Sequence, residues 1–251
     1  MTFYSYHWHG IHLEDPKLER ARTGLASSHD PETTTHTFLT LLRSDRTAAI
    51  GIALDNYDYA ETSSRHGTGN LFSPYAAEVL EKARLLLRQP PLPANESGTG
   101  EDGANHASAL LAMLNLAEEE DAGPVAAALA GAAGANVRQA AMSTACTVME
   151  RSTTPNHVLV DTLTDIIFDA ACAGKQRAAA LDALAGSKSG HITDLLLRAT
   201  EVDDLNVQVS AAYNLAHADL ERHRALLERL VSTWPTEVPY PGTDVLDMLS
   251  G

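Results

Sequence analysis

Small and apolar residues recur every three or four positions along most of this chain. Between Asn136 and Glu150 they fall at Val137, Ala140, Ala141, Thr144, Ala145, Val148 and Met149. That spacing predicts a helix with one buried stripe, and its alanines let a second helix approach closely. Similar stripes predict helices across the chain, several with start signals. Asp15-Pro16 opens one at Lys17 to about Ala26, and Asp30 caps one running through Phe38, Leu39, Leu41 and Leu42. Ser44-Asp45 opens a third, which holds Ala48, Ala49, Ile52 and Ala53 and ends on a polar, aromatic surface from Asp55 to Glu61. Ser73-Pro74 caps a helix over 73–88. Next come 104–118 and the pairs 122–133 with 136–150, 156–171 with 175–186, and 189–200 with 206–218. A helix from Leu220 to Ser232 is stopped by Trp234-Pro235. In the acidic tail, 236–251, Val245, Leu246 and Leu249 can give a final turn an apolar side.

Two stretches break the pattern. In the aromatic and histidine-rich arm 1–14, alternation at Phe3, Ser5, His7 and His9 fits a short strand or an extended segment. Residues 89–103 hold three prolines and three glycines, are acidic, and read as a mobile loop. That loop either separates two domains or lies inside one hairpin, joining 73–88 to 104–118. The phase of the helices favours the hairpin, and with it a single domain over 1–251.

A phrase also repeats. Asn136-Val137-Arg138 is echoed by Lys175-Gln176-Arg177 and Asn206-Val207-Gln208, each opening an alanine-rich helix. Arg138, Arg177 and Gln208 lie 39 and 31 residues apart, and His106 sits 32 residues before Arg138. A fainter copy begins at Asp45-Arg46. Periods of roughly 30 to 45 residues signal stacked helical hairpins. Over about Gly103 to Leu230 the chain resembles the HEAT-repeat family, especially its short bacterial HEAT-like form. The resemblance implies an all-α fold: a right-handed α-α superhelix, HEAT/armadillo-like, of about five to six hairpins. His106, Arg138, Arg177 and Gln208 would form a ladder of inner-helix starts that bond neighbouring inter-helix loops.

Composition narrows the function. Aromatic residues make up 5% of the chain, which suits alanine- and leucine-rich helices. A net charge of −15 argues against nucleic acid, whose phosphates need clustered Lys and Arg. It argues equally against an anionic membrane and permits a basic protein partner. No apolar run approaches the roughly 18 residues of a membrane span. The first residues lack the basic and apolar regions of a signal peptide. The expectation is a cytoplasmic protein, in which the Asn95-Glu96-Ser97 sequon has no meaning. Cys146 and Cys172 sit at apolar helix positions, so buried free thiols are expected.

The densest set of possible metal ligands is His7-x-His9-x-x-His12. Only Glu14 and Asp15 stand near it, short of the four spaced ligands of a structural zinc site. These histidines are expected to pack over the first helices. No metal or cofactor is expected, and if a metal did bind, it would bind there. Gly98-Thr-Gly100-Glu-Asp-Gly103 matches G-x-G-x-x-G in letters, but it follows no strand and its acids would repel a pyrophosphate. Walker, G-x-S-x-G, H-E-x-x-H and C-x-x-C motifs are absent. The deoxyhypusine hydroxylase branch of the resembling family uses His-Glu dipeptides, and this chain has none.

The expected working surface is Asp55 to Asn70, with Asp55, Tyr57, Asp58, Tyr59, Glu61, Arg65 and His66 as binding residues. Tyr and Arg are favoured in interfaces, and Gly67 and Gly69 soften the following loop. The competing reading is that the tyrosines only cover a neighbouring hairpin. Two functions follow. One is a non-enzymatic protein-interaction scaffold, in its sharper form an immunity or regulatory protein that binds a basic partner. The other is a metal-dependent or small-molecule-binding enzyme using the N-terminal histidines with Asp55, Asp58 or His66.

Overall fold

A computed structural model describes residues 6–64, 69–131, 134–185 and 191–251, without the Ser64 side chain. Among these residues the regular structure is all helical, with no strand. The chain divides into two compact units, Met1–Thr147 and Val148–Gly251.

Unit 1 begins with a 3-10 turn, Tyr6–Trp8, where a strand or an extended arm was expected. The reason is Trp8, which is fully buried. Its ring occupies the place where a Cβ on Gly51 would stand, 2.3 Å from that position. A short turn can insert the ring there, and a straight strand over the surface could not. α1 (Pro16–Ser27) is capped by Asp15, which accepts from the Lys17 amide at 2.7 Å. α2 (Pro31–Leu42) is capped by Asp30, which accepts from the Thr33 amide at 2.8 Å. Each cap satisfies an amide that the first helical turn leaves unpaired. Leu18, Ala21 and Leu25 of α1 and Phe38, Leu41 and Leu42 of α2 are buried as these helices pack together.

α3 (Thr47–Ser64) packs against α2, α5 and the N-terminal turn. It carries Asp55–Glu61 within the helix rather than at its end, so those residues point to different sides of it. Phe72 stacks on Phe38 at 4.0 Å, ahead of a 3-10 turn at Ser73–Tyr75 and α4 (Ala76–Leu87). Ser73 supplies no side-chain cap, because that turn separates it from the α-helix.

Residues 89–103, expected as a mobile loop, are tied down at several points. Asn105 accepts from the Leu92 amide at 2.9 Å and donates to the Pro90 carbonyl at 3.1 Å. Asp102 accepts from the Ala94 amide at 2.7 Å, and the Gly103 amide reaches the Leu92 carbonyl at 2.7 Å. The G-x-G-x-x-G letters are turn chemistry. Gly100 and Gly103 have φ of 70° and 86°, where side chains are strained, and Gly98 lies against the His9 backbone. α5 (Ala104–Met113) is shorter than its stripe suggested, giving way to a tight turn in which Leu116 and Ala117 both bond the Met113 carbonyl. Glu118 and Asp121 then form a reciprocal capping box before α6 (Ala122–Ala130). Arg84 of α4 joins it, donating to Asp121 at 2.7 Å and Glu118 at 3.0 Å. Asp121 raises the Arg84 pKa further above its usual range.

α7 (Ala135–Arg151) carries the stripe from which the helical pattern was read, with Val137, Ala140, Ala141, Ala145, Val148 and Met149 buried. Its Thr144 and Thr147 hydroxyls donate to the Leu110 and Leu114 carbonyls at 2.9 and 2.6 Å.

Unit 2 holds α8 (His157–Phe168), α9 (Gly174–Ala185), α10 (Ile192–Ala199), α11 (Leu205–Val231) and α12 (Gly242–Ser250). α9 packs on both α8 and α11. α8 stops earlier than expected because the Asp169 carboxylate accepts from the Ala171 amide at 2.9 Å, a local turn that competes with the helix. Cys172 therefore lies in a turn, half-buried, with its thiol near Asp169; Cys146 is half-buried too, and neither is in a disulfide. Asp219, at φ −167° and ψ 89°, breaks α11 where two helices were expected. The tail does form a final helix, α12, with Val245 fully buried.

Three of the residues expected at equivalent helix starts make local bonds of the expected kind. His106 Nε2 meets the Gln89 carbonyl at 2.8 Å, Arg177 Nε donates to Ile167 at 2.7 Å, and Gln208 Nε2 donates to Val202 at 2.9 Å. Each ties its helix to the connection or helix end just before it. At the equivalent start of α7, Arg138 Nε is buried. No helix among the described residues is long and apolar enough to cross a membrane.

Candidate functional site

A cleft of about 410 Å³ opens in unit 1. The N-terminal turn supplies Tyr6 and His7 to its wall, and α3 supplies Asp55, Asp58, Tyr59 and Thr62. The rest comes from Leu111 on α5 and from Asn136, Gln139 and Ala140 on α7. The α3 residues fall at i, i+3, i+4 and i+7, so helical geometry alone puts them on one face.

His7 and Asp55 are the best-defined pair. Both are nearly buried, with 4% of each side chain exposed. The His7 amide donates to Asp55 Oδ2 at 3.0 Å, and His7 Nδ1 lies 3.0 Å from Oδ1. One carboxylate thus fixes both the backbone and the ring of His7. With Nδ1 committed, Nε2 is the ring nitrogen left for a molecule in the cleft. Ser108 Oγ lies 3.5 Å from the same Nδ1 and accepts from Trp8 Nε1 at 2.9 Å. A serine nucleophile would have to face the opposite ring nitrogen, so His7, Asp55 and Ser108 do not make a hydrolase triad. The Tyr6 ring meets His7 edge-on, with centroids 5.2 Å apart.

Of the expected binding residues, the cleft gathers Asp55, Asp58 and Tyr59. Tyr57 is not on the surface: it is 2% exposed, and burial, then the Glu61 charge, pushes its hydroxyl up to about 12. Glu61 accepts from Asn70 and is not on the cleft wall. Arg65 and His66 lie outside the described residues. The three histidines do not come together. His7 is buried on Asp55, His9 is exposed, and the His12 side chain is 85% exposed beside Glu19. No group of three His, Cys, Asp or Glu among the described residues could hold a metal.

The sequence reading missed the contributions of Leu111, Asn136 and Gln139; of the pairings it offered between the N-terminal histidines and Asp55, Asp58 or His66, the structure shows His7 on Asp55, 48 positions away. One signal did point there. Gly51 inside an alanine-rich helix costs about 1 kcal/mol against Ala, which marks a close approach by another group.

No protein-family model and no curated protein sequence matches the chain.

Proposed function

We propose that this chain is a non-enzymatic protein-interaction scaffold of the HEAT/armadillo-like kind, a right-handed α-α superhelix that takes a basic partner at the cleft of unit 1. An immunity or regulatory protein is the sharper form of this reading. The observation that carries it is the cleft itself, where two carboxylates and two tyrosines stand over an apolar floor. Tyrosine gives an interface a large contact area at low entropic cost. A net charge of −15 draws a basic protein towards it over long range. The helix-start bonds support the repeat reading, since His106, Arg177 and Gln208, at equivalent starts of three helices, each tie the helix to the segment just before it.

The test is capture by the immobilised chain at about 50 and about 500 mM salt, a range over which exposed charges become screened. The wild type is expected to retain a basic protein at low salt and release it at high salt, and Asp58→Lys is expected to retain none. Capture undiminished in Asp58→Lys would remove the cleft from the reading.

The His7–Asp55 pair favours a second reading, a small-molecule enzyme in which His7 accepts a proton in the cleft. That reading needs turnover lost in His7→Gln with the helical content intact, and a small molecule that protects the cleft in hydrogen exchange.

A further inference from the structure

We infer that the cleft of unit 1 takes one arginine side chain of the partner polypeptide. This rests on the protein-partner reading above and adds the group that is recognised. Size comes first: about 410 Å³ holds one long side chain and excludes a folded surface. Charge comes second. Asp55 and Asp58 stand on one wall, and their carboxylates favour a cationic guest.

The choice among cations follows from the rest of the lining. Tyr6 is 56% exposed and offers an aromatic face to a flat cation, and Tyr59 lines the same cleft. A guanidinium is planar and weakly hydrated, and it loses less than an ammonium on entering an apolar site. It also brings five N–H donors. Asp58, Asn136 and Gln139 line the same cleft, and their side-chain oxygens are acceptors for such donors. A lysine ammonium, compact and strongly hydrated, would leave the tyrosine faces and most of these acceptors unused.

The experiment is selection of random linear peptides on the full chain by display, with Asp58→Asn and Tyr59→Ala chains as comparators. Circular dichroism melts establish that both variants fold. Enriched peptides are expected to share an arginine. Its replacement by citrulline, neutral but nearly the same shape, is expected to weaken binding about tenfold or more, as loss of a charge-assisted contact does. Both variants are expected to show a similar loss. Enriched peptides that lack arginine, or that bind the variants and the citrulline form equally well, would overturn the arginine site and leave the scaffold reading standing. A failure to enrich any peptide would overturn both. Arginine amide binding as tightly as the peptides would overturn the polypeptide source in favour of a free guanidine.

Discussion

The two units bury their polar side chains differently. In unit 2, Ser152, Arg177, Thr200 and Ser210 are buried, and each donates to a backbone carbonyl, Val148, Ile167, Leu197 and Ala178; Ser210 also donates at 2.6 Å to the carboxylate of Asp182, which is exposed. Such bonds tie a helix to itself or to its neighbour, and any helical stack needs them. Unit 1 has them too, at His106 and Thr144. It also buries His7, Asp55, Ser108 and Trp8, which bond one another side chain to side chain. Side chain–side chain bonds are a small share of those in proteins, and a buried polar set is costly unless every member is satisfied. Architecture does not require that set. It lies beside the cleft, and polarity beyond what the fold needs is the mark of a site.

This comparison can be broken most sharply at Asp55. Asp55→Ala should cost about 3–5 kcal/mol in urea unfolding, since it leaves the His7 amide and ring unpaired in a buried place. The double change His7→Leu with Asp55→Leu should recover part of that loss, because an apolar pair needs no partner. Gly51→Ala comes next. The helix gains propensity, but the new Cβ meets the Trp8 ring at 2.3 Å, and overpacking of about 1–3 kcal/mol should win. In unit 2, Arg177→Met should cost about 1–3 kcal/mol by orphaning the Ile167 carbonyl, and His106→Leu, half-buried in unit 1, should cost less. If Arg177→Met cost as much as Asp55→Ala, the distinction between the units would collapse.

The smallest effect depends on pH. Hydrogen bonding to Arg22 lowers the Glu19 pKa from 4.5 to about 2. A depressed carboxylate contributes stability above its unfolded value and loses it as pH falls towards the folded value. The Glu19→Gln penalty should therefore be present at neutral pH, fade below about 4.5 and vanish near 2. The pair is partly exposed, so about 1 kcal/mol or less is at stake. Urea midpoints of both proteins across that range would show it.

Helices were legible in the sequence because their apolar periods and caps are local. Asp15 and Asp30 cap where Asp-Pro announced a start, and the shared helix-start phrase led to the bonds made by His106, Arg177 and Gln208. Ends were less legible. Asp169 stopped α8 by a turn of its own, a competition that an apolar stripe does not record. At the site, i, i+3 spacing suggested a ridge of Asp55, Asp58 and Glu61 with Tyr57 beside it; the cleft wall holds Asp55, Asp58 and Tyr59 instead, Glu61 is not on it, and the same helix buries Tyr57. His7 was read with His9 and His12, its neighbours in sequence. Its partner is Asp55 on α3, one of the acids that the enzyme reading set beside the N-terminal histidines, and Gly51 marks where the neighbouring Trp8 approaches the same helix.

The burial of Trp8 also gives the molecule an optical label. The chain has two tryptophans, and one falls in each unit. Trp8 is wholly enclosed and bonded to Ser108, while Trp234 is half-buried near the start of the tail. Intrinsic emission therefore contains one reporter per unit, and Trp8→Phe and Trp234→Phe would each silence one. Whether the units melt together or in turn can then be read as colour and intensity, with no dye attached.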